Sequence, residues 1–185
     1  MARVKKYEPT KLIAMFRLAA ALRNEMLDVG FTDNGGAIHS AERILNILGM
    51  RICYPGLSHI NNLRNYPNAL FSAKALAAHR NGEQVLIEHI SPHRALTRLA
   101  IDRIVAGGSD EDLLAFVKAH FRLALLTRSE TDRLNKINRS KIADDRLQAA
   151  GITVQSIGPA PSESNGSLAV PPNNSFKPKP LRGSA

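Results

Sequence analysis

The sequence predicts an α+β fold, mostly helical, with a small sheet of two or three short strands and a disordered C-terminal tail. Three observations carry this. Hydrophobic residues make up 44% of the chain, aromatics only 5%, and Trp is absent, so the core must be aliphatic and Ala-rich, which favours helices. Apolar residues recur mostly at three- and four-residue steps, and only a few short runs read as strands. From Gly158 onward six prolines with Ser, Asn and Gly leave little apolar surface to offset ordering entropy.

Taken in order, Met1 to Glu8 is a basic, frayed lead-in. From Pro9, the spacing of Leu12, Phe16, Ala19, Ala20, Arg23, Met26 and Leu27 predicts a helix, capped by Thr10 and stopped by Gly30. Residues 31–36 form a turn. Ala41, Ile44, Leu45 and Leu48 predict a second helix over residues 40–48, ended by Gly49. Tyr54-Pro55-Gly56 is a turn, and a short helical turn follows over residues 59–63. A third helix is expected over residues 68–80, stopped by Asn81-Gly82.

Residues 84–89 are the best strand, expected to be central to the sheet. Ser91 and Pro92 suit the N-cap and first position of the next helix, which presents Leu96, Leu99, Ala100, Ile104 and Val105 and closes at Gly107-Gly108. Ser109 caps another helix, where Asp110, Glu111 and Asp112 complement the positive end of the helix dipole. Leu123 to Leu126 is a second strand. Thr127-Arg128-Ser129-Glu130 is a capping-box pattern that starts a helix running to Lys136. Residues 145–150 form a last short helix, and residues 152–157 a third, alternating strand. No internal repeat and no heptad run is evident.

The length of 185 residues fits one domain over 9–157, with a helical part over 9–82 and a strand-helix part over 83–157. The single cysteine, Cys53, excludes an internal disulfide, and it reads as a buried small apolar residue. No targeting segment and no 18-residue apolar window is seen, so the expected location is cytoplasmic with no membrane partner. The oligomeric state is not legible. The net charge is +9; Lys177, Lys179 and Arg182 against Glu163 place +2 of it in the tail and +7 in the body. Such a body suits a polyanion partner, DNA ahead of RNA, or simply a solvated basic surface.

Glu88 and His89 end the best strand and are the candidate chemistry. A neutral imidazole takes a proton from water near pH 7, and a carboxylate holds a divalent cation through oxygen. Consecutive strand side chains point to opposite faces, so both serve one site only if the chain turns there. The alternative is a structural imidazole and a solvated carboxylate. Arg94 and Arg98 lie one turn apart beside this pair and suit a phosphate clamp. Arg128, Arg133, Lys136, Arg139, Lys141 and Arg146 form a second basic group, diluted by Glu130, Asp132, Asp144 and Asp145. Their type suits phosphate contacts, or a charge-laced solvent face. Glu130 is expected to cap the Thr127 amide and Asp132 to pair with Arg128 or Lys136. The remaining histidines show no ligand spacing, and no Gly-rich phosphate loop follows a strand.

Ile87-Glu88-His89-Ile90-Ser91-Pro92 resembles the opening of HNH nucleases, the His-Me finger group. The resemblance implies a metal-dependent phosphodiesterase with His89 as general base, Glu88 as a ligand of Mg or Mn, and Asn135 or Asn138 as the amide ligand. The family's later histidine has no counterpart, since Thr131 or Asp132 stands there. A broader order, Glu-His-x-x-Pro, Leu-Leu-Thr-x-x-Glu, Arg-Leu-Asn, Arg-Ser-Lys-Ile and Ala-Ala-Gly-Ile, resembles a group of uncharacterised bacterial proteins and implies a domain over about 83–152. Residues 173–185 resemble tails found on unrelated bacterial reading frames, implying no function for them. Three readings follow: a nuclease, a non-catalytic nucleic-acid-binding or accessory protein, or a scaffold in which Glu88 and His89 only fix the fold. The nuclease requires His89 and a group from residues 127–138 to share one metal site.

Overall fold

The computed structural model describes residues 8–156; most of the expected lead-in over 1–8, and the expected tail over 158–185, lie outside the described residues. Helices α1 (Pro9–Asp28) and α2 (His39–Cys53) come first, then a 3-10 helix, Ile60–Asn65. Strand β1 (Leu70–Ser72) leads straight into α3 (Ala73–Arg80). Strand β2 (Leu86–His89) precedes α4 (His93–Val105) and α5 (Asp110–His120). Strand β3 (Leu123–Leu126), α6 (Arg128–Ile137), α7 (Arg146–Ala149) and β4 (Val154–Ser156) complete the order. The α+β reading holds, with four strands rather than two or three.

The sheet order is β2-β3-β1-β4, with β1 parallel to β3 and the outer strands antiparallel to their neighbours. Strand β2 is therefore an edge strand, not the central one. Its four residues are all half-buried, whereas all four of β3 are buried. The alternation of β3 explains why it takes the interior. Leu123 and Leu125 join the large core beneath α1, α2, α4 and α5, and Ala124 and Leu126 join a smaller one with Leu134, Ala150 and Ile152. A strand apolar on both faces must be covered on both.

Two helix boundaries differ from the sequence expectation for physical reasons. The segment at 68–80 divides into β1 and α3 because Ser72 caps α3, its Oγ accepting from the Ala75 amide, while Leu70 and Phe71 pair with β3. Such pairing is invisible to local periodicity. Helix α2 continues through Gly49 to Cys53. Gly49 is not a stop: a Cβ there would meet the Phe121 ring at 2.3 Å. The missing side chain lets Phe121, 1% exposed, pack on the helix backbone. Gly30, by contrast, has φ +92° and does end α1 as expected.

Helices α3, α5 and α6 start at side-chain caps, whereas α1 and α4 start without one: their N-caps are Glu8 and Pro92, so Thr10 and Ser91 do not cap them as expected. Ser109 and Thr127 both complete capping boxes, with Asp112 and Glu130 as the reciprocal acceptors. Glu130 does more. Its Oε2 accepts from the Thr127 amide at 2.9 Å, the Thr127 hydroxyl at 2.9 Å and the Ser72 hydroxyl at 2.7 Å. Among the described residues no helix is long and apolar enough to cross a membrane.

Gly49→Ala is expected to destabilise the protein by about 1–3 kcal/mol through overpacking against Phe121. The roughly 1 kcal/mol that alanine gains over glycine within a helix offsets part of this cost. A urea midpoint above that of the wild type would refute the packing role.

Candidate functional site

A cavity of about 740 Å³ opens at the edge of β2, and Glu88, His89, His93, Arg94, Asn135 and Arg139 are among its lining. Glu88 and His89 both line it, and the chain bends directly after them at Ile90 and Ser91. His89 packs toward α4 and α5, its ring stacked on His93 at 4.6 Å between centroids and edge-on to Phe121 at 5.2 Å. Glu88 faces the opposite side, next to Arg146. Because β2 is an edge strand, one cavity can border residues from both faces of the sheet.

The imidazoles are held neutral. Burial first, then the neighbouring His93 and Arg146, push the His89 pKa down to about 3. Burial also lowers that of His93, against the opposing influence of Glu42. His89 Nδ1 and His93 Nε2 are buried without a hydrogen-bond partner. Each such group costs about 1–3 kcal/mol relative to a paired one. A base that binds its proton only near pH 3 is a poor proton acceptor at neutral pH. Burial raises the Glu88 pKa, and the positive charge of Arg146 counters part of that rise.

Arg146 is 3% exposed and is structural. Its Nη1 donates to the carbonyls of His89 at 2.8 Å and Ile90 at 2.9 Å, and its Nε to that of Asn138 at 2.7 Å. The guanidinium thus ties the end of β2 to the end of α6. It also places a fixed positive charge near Glu88.

The expected metal set is only partly assembled. Glu88 and Asn135 line the cavity, but Asn135 Oδ1 is 3.5 Å from Arg146 Nη2. Asn138 Oδ1 accepts from the Lys141 amide at 2.9 Å and caps the turn there. Among the described residues no three His, Cys, Asp or Glu side chains group closely enough to hold a metal ion. Glu88 thus has a buried guanidinium beside it, and Asn138 already caps a turn.

The two arginines expected to clamp phosphate are engaged within the protein. Arg94 Nε donates to Glu42 Oε1 at 2.9 Å and Nη1 to Asn34 Oδ1 at 2.9 Å. Arg98 Nε donates to Asp33 Oδ2 at 2.7 Å, and Arg23 holds the same carboxylate through two further bonds. The Arg23 hydrogen bond, then that from Arg98, draw the Asp33 pKa down to about 2 against the effect of burial. Asp33, Glu42 and His93 were missed in the sequence. Only the four-residue spacing of His89 and His93 across Pro92 hinted at the stacked pair.

Arg128 pairs with Asp132 at 3.6 Å, both well exposed, as expected of i,i+4 neighbours and contributing little. Arg133, Lys136, Arg139 and Lys141 are exposed, and none forms an ion pair among the described residues. Arg139 also lines the cavity. No protein-family model, curated protein or solved structure matches the chain.

The lowered histidine pKa sets a pH dependence. The unfolded chain protonates His89 near 6.5 and the fold only near 3, so the unfolded state binds more protons in between. Stability present above pH 6.5 is therefore lost as pH falls toward 3, by about 1.4 kcal/mol per pH unit. In chemical denaturation between pH 6.5 and the Asp33 range, His89→Leu is expected to flatten this slope by about that amount. An unchanged slope would show that the ring is freely protonated in the fold.

Proposed function

We propose that this protein binds nucleic acid without cleaving it, through the basic strip of α6 and the loop that follows. The observation that carries this is the distribution of free positive charge. Arginines near the cavity, Arg94, Arg98 and Arg146, are committed to internal partners, whereas Arg133, Lys136, Arg139 and Lys141 are exposed and form no ion pair among the described residues. Lysines and arginines in that state release counterions when they meet phosphates, which is the main source of sequence-independent affinity. Arg139 joins the strip to the cavity, where one phosphate of a bound strand is within reach of its guanidinium.

Binding is favoured over hydrolysis by the state of His89. A ring neutral down to about pH 3, stacked on a second neutral ring, supports packing rather than proton transfer. The carboxylate beside it faces a guanidinium rather than an open set of oxygen ligands.

Fluorescence anisotropy with labelled single- and double-stranded DNA tests the reading. Affinity is expected to fall steeply with salt. The triple variant Lys136→Ala, Arg139→Ala and Lys141→Ala is expected to lower the slope of log affinity against log salt by about 2–3. Plasmid incubated with Mg or Mn is expected to remain intact. Binding that ignores salt, or nicking that disappears in His89→Ala, would overturn the proposal, the latter in favour of the nuclease.

A further inference from the structure

Helix α1 has two apolar stripes, and only one of them is used. Leu12, Ile13, Phe16, Ala19 and Ala20 are buried against the core. Met15, Leu18, Leu22 and Val29 lie on the other side and are 45%, 72%, 54% and 74% exposed. With Lys11 and Glu25, both exposed, they form the series 11, 15, 18, 22, 25, 29. Steps of four and three in alternation are those of a heptad seam. At 1.5 Å per residue the seam is about 27 Å long. Exposed Ala14 and Ala21 flank it on one side and allow a second backbone to come close. A contiguous apolar surface of this kind on a soluble helix marks an interaction site.

We propose that a second copy of this chain docks on α1, with the two helices antiparallel. The charges decide both occupant and direction. Lys11 sits at one end of the seam, Glu25 and Asp28 at the other, and none of the three has an ion-pair partner among the described residues. Antiparallel pairing about a two-fold axis sets Leu18 against the partner's Leu22 and Leu22 against the partner's Leu18. It brings Lys11 opposite the partner's Val29, beside the partner's Asp28 and one turn from the partner's Glu25. The same contact repeats by symmetry at the other end, as an isologous interface requires. Parallel pairing would instead set lysine against lysine and glutamate against glutamate. The polar residues that face α1's other neighbours, Arg17 with Asp110 and Arg23 with Asp33, are satisfied within the chain and leave the seam free of competing charge. This surface is independent of the nucleic-acid reading.

Sedimentation equilibrium of the full chain over a micromolar concentration series tests the proposal. The mass is expected to rise from 20.2 kDa toward twice that value. Leu18→Glu with Leu22→Glu is expected to stay monomeric throughout while retaining the wild-type far-UV circular dichroism spectrum, since both positions are exposed. Lys11→Glu alone is expected to weaken the dimer at least tenfold, and Lys11→Glu combined with Glu25→Lys to restore it. A wild type that stays monomeric, a dimer unaffected by the double leucine change, or a dimer strengthened by Lys11→Glu alone would each overturn it.

Discussion

One buried guanidinium decides the shape of the polar end of this molecule. A desolvated cation is expensive unless its donors are satisfied, and Arg146 meets that condition with the carbonyls of His89, Ile90 and Asn138. An edge strand has no neighbour beyond it to fix its end, so the arginine supplies that restraint. It holds the last residues of β2 against the end of α6, and in doing so fixes where Glu88 and His89 sit. The price falls on the chemistry: the carboxylate faces a permanent positive charge, and the imidazole is buried between His93 and Phe121.

The same use of charge recurs around the first helix pair. Asp33 receives Arg23 from α1 and Arg98 from α4, joining the loop after α1 to a helix far along the chain. Glu42 of α2 receives Arg94. These pairs are partly buried and hydrogen-bonded in good geometry, so they act as cross-links between elements rather than as solvated surface pairs. Positive charge near the cavity is thereby neutralised locally, while Arg133, Lys136, Arg139 and Lys141, along α6 and the loop after it, form no ion pair among the described residues.

How much of this was legible in the sequence varied with the range of the interaction. Capping boxes at Ser109 and Thr127 were readable because they are contained within four residues. So were β3, with its run of apolar residues, and the left-handed Gly30. Gly49 was misread as a helix end because the ring that needs its empty position, Phe121, lies far away in sequence. β1 was absorbed into a helix because its partners are β3 and β4, neither of them local. At the site, Glu88, His89 and Asn135 line one cavity. Their surroundings were not legible: no local pattern distinguishes an arginine destined for a carbonyl cage, as Arg146 is, from one free in solvent, as Arg139 is. Long-range partners decide that, and a single sequence does not display them.

The Ser72 hydroxyl and Glu130 join two parts of the sheet that the backbone alone would leave loosely specified. Strands β1 and β3 run parallel and each feeds directly into a helix, α3 and α6, whose first turn is held by a cap. Ser72 caps one and donates to the carboxylate that caps the other. A slip of either strand by a single residue would turn its side chains to the wrong face and also undo both helix starts. Two short strands, each too brief to set its own alignment, thus share a side-chain lock that makes every neighbouring register worse.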